Sequence, residues 1–444
     1  MSLDRQTGHM PTPEALPSAD AVARETKPDR DRAIDVARIV ALTVVMFGHC
    51  IMLLATIDST GVRVGNILAV LPEYAPLTWV LQVMPLFFLA GGAAGTYGWH
   101  PGTPWGRWLF TRAQRLYRPV FWYLAVWTVA LIAVHATMGP ESAEALGGEC
   151  VALLWFLGVY LVALAFVPAL TRIATGRWVA VLVASFIVLA AAFDALRFAL
   201  DSSAAGTPNL IFVWLIPMVI GVAHVRHLIP RGVAIAVAAV ALGAQVLLAA
   251  SGIYDVTLVN TGAQRVSNVS PPTLVLALHC TWMSCVFVAL APTIQRWAQR
   301  PRIWYLVALG NRGAMTIYLW HIPVIAIAAF GLHAFGLDAF DPHAPGFWGL
   351  LALRVAVFAA LMAVVFWLLT PLEHRPLPLW DRPVGASGAR SVAAGVLACV
   401  AGGGLALMAK NGLYGVTGWS ALGCFVVAAA AARLSAGTAP RQPN

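Results

Sequence analysis

The sequence predicts an all-α fold, a polytopic transmembrane helical bundle. Of its 444 residues 60% are hydrophobic and only 11% are charged, against roughly 45–50% and 25% in an ordinary soluble domain. Apolar runs of about 20 residues recur along almost the whole chain, each long enough to cross ~30 Å of hydrocarbon as a helix. Basic residues concentrate in alternate loops. A soluble globule is excluded, and the net charge of +9 reads as topology, with no nucleic-acid partner expected.

Residues 1–30 are polar and rich in Pro, Asp and Arg, without an apolar core or cleavage site, so a disordered cytosolic tail is expected there instead of a signal peptide. Twelve apolar spans follow, near 34–56, 77–97, 119–137, 150–171, 178–197, 210–225, 233–251, 271–291, 304–332, 347–371, 391–409 and 413–432. A membrane domain over 31–385, a further helix pair over 386–434 and a short cytosolic tail over 435–444 are expected. One set of alternate loops, with both tails, holds 21 Lys and Arg; the other holds Arg63, Arg197, Arg265 and Lys410. That split places both termini in the cytoplasm of a cell-membrane protein. The loop with Glu141, Glu144 and Glu149 agrees, carrying no basic residue. The six cysteines form no CxxC pair and read as apolar packing groups.

Ionisable residues within spans are expensive, which makes each a functional candidate. In the first span, Asp35, Arg38 and His49 stand in RDRAIDVARIVALTVVMFGHC. Arg38 and His49 are eleven residues apart, so on a helix they share a face, ~16 Å apart along the axis. Asp35 lies one turn from Arg38 and can pair with it. Beyond the second span, Arg112, Arg115 and Arg118 recur every three residues, a basic stripe suited to a polyanion as well as to topology. The ninth span, VALGNRGAMTIYLWHIPV, carries Asn311, Arg312, Tyr318 and His321, with Asn311 nearer than Arg312 to the His321 face. Two intramembrane histidines at similar depth suggest a shared polar cavity. His279, Arg354, Glu373 and His374 are weaker candidates. His224 and His227 have metal-ligand spacing but no third ligand nearby in sequence, so no metal site is expected. No nucleotide-hydrolysis motif is present.

These residues resemble the membrane-bound acyltransferase 3 family. Arg38 and His49 match its first-helix signature, with Asp35 preceding them; PLFFLAGG at 85–92 is similar to its phenylalanine-rich segment, and Arg112-x-x-Arg115-Leu116 to its basic motif. LWFLGVYLV at 154–162, TIYLWHIPV at 316–324 and PLEHRPLP at 371–378 resemble later segments, so the likeness spans about residues 30–380. Ala90 stands where the family usually has Ser, and the last two spans exceed its usual ten helices. The hydrolase-like domain of some peptidoglycan-acetylating members is not seen.

The resemblance implies transfer of an acyl group, commonly acetyl, from an acyl-CoA donor substrate to a hydroxyl of a carbohydrate, glycolipid or small-molecule acceptor, with no resident cofactor. Arg112, Arg115 and Arg118 would meet the phosphates of the donor. His49 would act as general base. Arg38 would hold the donor or orient the base through Asp35, and His321, with Tyr318, Asn311 and Arg312, would bind acceptor or share the proton. Direct transfer is expected, with an acyl-histidine intermediate as the alternative. Two other classes fit twelve helices: a secondary transporter, which should show related halves, and a non-catalytic scaffold. The motifs are unrepeated, and Arg312, His321 and Arg354 do not mirror Asp35, Arg38 and His49.

Overall fold

A computed structural model of the chain describes residues 18–439 apart from 60, 263 and 265; Arg5, Arg265 and Arg441 lie outside the described residues. Within them, eleven stretches are long and apolar enough to cross a membrane. Ten have 20–28 residues, whereas Trp105–Leu164 has 60, which as one straight helix would reach about 90 Å, three times the hydrocarbon thickness. It doubles back instead. The break is at Gly139, where φ is 85° and ψ 173°, a conformation that glycine alone adopts without strain. The two arms are antiparallel: the Tyr123 hydroxyl donates to the Cys150 carbonyl at 2.5 Å, and the Trp105 indole to the Ala165 carbonyl at 2.8 Å. With this hairpin counted as two passes, the chain follows the twelve-pass path expected.

A short helix, α1 (Ala19–Glu25), precedes α2 (Arg32–Met52). Ser18 caps α1, accepting from the Ala21 N–H at 3.2 Å, and Asp31 caps α2, accepting from the Ile34 N–H at 3.2 Å. The stretch from Ser18 to residue 30, read from sequence as disordered tail, is therefore structured, with Val22 and Ala23 packed around Trp304. Helix α2 also stops short of its apolar run. The chain turns at Leu53 into an antiparallel hairpin, β1 (Leu53–Asp58) and β2 (Gly61–Asn66), with Leu53 opposite Asn66.

Apart from single-turn helical pieces of four to six residues, the remaining elements are α3 (Met84–Tyr97), α4 (Trp105–Val151, broken at Gly139), α5 (Leu154–Leu164), α6 (Gly176–Ala199), α7 (Asn209–Val225), α8 (Arg231–Ala250), α9 (Leu274–Trp297), α10 (Pro301–Arg312), α11 (Ala314–His333), α12 (Phe347–His374), α13 (Gly388–Asn411) and α14 (Gly415–Ala436). The ninth span is shorter than its apolar run. The chain breaks at Gly313, so α10 is a separate 12-residue helix, too short to cross the bilayer, and Asn311 and Arg312 lie at its end. One apolar core joins α3, α4, α5, α7 and α9, with Phe88 stacked on Trp214 at 4.6 Å between ring centroids. The last pair is bound into this core. Tyr117 on α4 donates to the Ala398 carbonyl of α13 at 2.9 Å, and the Arg107 N–H donates to Ser391 Oγ at 2.8 Å.

Candidate active site

Where α2 and α11 meet, His49 and His321 face each other. His49 Nδ1 lies 3.1 Å from His321 Nε2, with the rings stacked at 5.3 Å and 20°. His321 is fully buried. Its Nδ1 lies 2.8 Å from the Tyr318 carbonyl and 3.1 Å from that of Ile317. A carbonyl only accepts, so His321 carries its proton on Nδ1 and presents Nε2 as an acceptor. His49 then donates through Nδ1, which leaves its Nε2 with a free lone pair, the form a general base requires. The two histidines placed at similar depth by the sequence are thus in direct contact. The Tyr318 hydroxyl donates to the Leu153 carbonyl, and its ring packs on Phe156 at 5.6 Å.

At the arginine-rich end of the bundle, Arg30, Asp35, Arg38, Trp304, Asn311 and Arg312 line a cavity of about 360 Å³. Asp35 accepts from Arg30 Nε at 2.7 Å; the pairing with Arg38 expected from sequence is not made. The turn ahead of α2, closed by the Arg30 N–H donating to the Lys27 carbonyl at 3.1 Å, brings Arg30 over the first turn of the helix. The Asp35 side chain leans toward that end. Asn311 donates to the Asp35 carbonyl at 3.0 Å, so it belongs with the first turn of α2 and not with His321. Arg38 and Arg312 have no hydrogen-bond or ion-pair partner among the described residues.

The profile of the acyltransferase 3 family, an acyltransferase domain, matches residues 31–370. The chain belongs to this family. No curated protein and no solved structure matches it. The matched region of this acyltransferase holds both histidines and the free arginines of the cavity, while α1, α13 and α14 lie outside it.

The three arginines of the acyltransferase's basic motif diverge. Arg112 lies over the Trp108 ring at 3.8 Å and donates to the Gly98 carbonyl at 3.1 Å, satisfying the end of α3. Arg118 pairs with Asp381 at 3.5 Å and donates to the Glu373 carbonyl at 2.9 Å. Arg115 is exposed. Tyr160 on α5, a residue that sequence reasoning did not single out, packs its ring against Phe156 at 5.5 Å and Phe88 at 5.8 Å between ring centroids. It reaches that place because residue 91 is glycine: a Cβ there would meet the Tyr160 ring at 2.6 Å. The one available signal was its place in the LWFLGVYLV segment.

Among the weaker candidates, Glu373 accepts from the Thr316 N–H and hydroxyl at 3.0 and 2.8 Å, fixing the start of the helix that carries His321. Arg354 is 1% exposed and donates to the Cys50 carbonyl at 2.8 Å, a carbonyl near the end of α2, next to His49. His224 Nε2 lies 3.2 Å from Asp31. Burial pushes the Asp31 carboxyl up, but the hydrogen bond and charge of His224, with the Ile34 N–H and the Tyr97 hydroxyl, leave it below the ordinary carboxylate range.

Proposed function

We propose that this membrane acyltransferase takes an acyl group, in the simplest case acetyl, from a CoA thioester on its arginine-rich face and transfers it to a hydroxyl of a carbohydrate, glycolipid or small-molecule acceptor. The arginine-rich face is the cytoplasmic one, as positive-inside bias requires. His49 Nε2 removes the acceptor's proton as the hydroxyl oxygen attacks the thioester carbonyl. The C–S bond then breaks, and the thiolate of CoA leaves and takes the proton back from His49. His321 holds His49 in the tautomer that does this and shares the developing imidazolium charge. Arg38, on the same helix as His49 and lining the pocket at the arginine-rich face, meets the negative charge of the donor.

One observation carries the reading: the 3.1 Å contact between His49 and His321, oriented by a backbone carbonyl and placed on the same helix as the unpartnered Arg38. Deleting the gene and restoring it with wild type or His49→Ala tests it. Mass spectra of surface glycans, glycolipids and metabolites should show one acyl group lost on deletion and regained only with wild type. Full restoration by His49→Ala would overturn the assignment.

A further inference from the structure

We propose that the open pocket between Thr26, Arg30, α2 and α10 seats the phosphate groups and adenosine of the donor, rather than the Arg112–Arg115–Arg118 stripe. This inference rests on the acyl-CoA reading above and adds where the donor's head binds. The cavity holds three guanidinium groups, Arg30, Arg38 and Arg312, and one carboxylate, Asp35, already engaged by Arg30. Two positive charges remain uncompensated beside a space of about 360 Å³, a setting that selects a compact polyanion. Asn311 lines the same cavity. Its amide nitrogen donates to the Asp35 and Val307 carbonyls, which leaves a buried Oδ1 without a partner among the described residues. A buried acceptor with no donor suits the N–H of a purine or the O–H of a ribose.

The stripe, in contrast, is largely occupied: Arg112 and Arg118 are held by protein carbonyls and Asp381. The geometry along α2 fits as well. A head group at Arg38 lies ~16 Å along the helix from His49, on the same face, so an extended thioester arm running beside α2 brings its carbonyl toward the histidine pair. Thr26 and Arg30 complete the rim, although both precede residue 31, where the family match begins. The segment ahead of α2 is thereby part of the donor site.

Full-length protein in nanodiscs of zwitterionic lipid provides the test, with affinity measured calorimetrically for CoA, adenosine 3′,5′-bisphosphate and inorganic pyrophosphate. Arg312→Gln should weaken CoA and the bisphosphate roughly ten- to hundredfold, the loss of one charge-assisted hydrogen bond, and Arg312→Lys should recover part of it. Asn311→Ala should weaken the bisphosphate more than pyrophosphate, while Arg115→Gln changes CoA binding less than about threefold. Recovery by lysine excludes a simple folding defect. If Arg312→Gln and Arg30→Gln bind CoA as wild type does, and Arg115→Gln does not, the cavity assignment fails while the donor reading stands. If Arg312→Gln instead loses only affinity for phosphatidylglycerol added to the nanodiscs, the phosphate belongs to lipid and the assignment is overturned. A wild-type protein that binds no CoA refutes the donor reading itself.

Discussion

If His321 acts only by orienting His49, the two residues should behave as one unit under substitution. Removing the base, His49→Ala, should lower acyl transfer about 10²–10⁴-fold, the range general-base catalysis supplies. His321→Ala removes one neutral hydrogen bond of 3.1 Å, worth about 0.5–1.5 kcal/mol net, and frees His49 to place its proton on the wrong nitrogen. That amounts to a loss of about 2- to 12-fold. With the base gone there is nothing left to orient, so the double variant should be no slower than His49→Ala alone. The assay is acyl occupancy of the natural acceptor in the complemented deletion strain, read by mass spectrometry at matched protein levels. Multiplying losses in the double variant would refute the relay and give His321 an independent role, such as holding the acceptor.

Other substitutions test the framework around the site. Arg354→Leu leaves the Cys50 carbonyl at the end of α2 unsatisfied and should destabilise the protein by about 1.5–3 kcal/mol, measured as a lower thermal midpoint; an unchanged midpoint would refute the bracing role. Gly139→Ala forces a Cβ into a glycine-only conformation and should cost about 1–3 kcal/mol, again read by thermal melting. Asp31, whose folded carboxyl lies below its ordinary value of 3.8, contributes stability that is present above that value and lost as pH falls through the lowered one. The melting midpoint of wild type should therefore drop more steeply than that of Asp31→Asn between about pH 5 and pH 3, and parallel curves would count against it. Gly91→Ile should displace Tyr160 and reduce transfer without preventing folding, checked by activity beside an unchanged elution profile on size exclusion.

Much of the fold was legible because the bilayer imposes a length on every crossing, and hydropathy reports that length directly. The places where it misled are those where an apolar run outlasts its helix. Leu53 to Ile57 continue the hydrophobicity of α2 but belong to a strand, and the residues before Gly313 continue that of α11 but form a separate short helix. Helical spacing rightly put Arg38 and His49 on one face, and similar depth rightly suggested a shared setting for His49 and His321. Spacing failed for Asp35, because its partner Arg30 comes from a turn outside the helix, and no periodicity describes that turn. Arg354 had no nameable partner because it binds a main-chain oxygen, which every residue possesses. Asn311 and Arg312 were grouped with His321 by proximity in sequence, yet the break at Gly313 assigns them to the opposite end of the site.

The close union of α13 with α4 bears on how the protein is made. The hairpin that carries Arg112 and Tyr160 is synthesised in the first half of the chain, yet the Arg107 N–H and the Tyr117 hydroxyl find their partners, Ser391 and Ala398, only near its end. Until those residues leave the ribosome, the hairpin must wait in the membrane with these polar groups open to lipid or to an insertase. Contacts so distant in sequence form late in folding. The final two helices therefore complete the packing of the hairpin last, and a chain released before them would hold every residue of the family match with these two hydrogen bonds unmade.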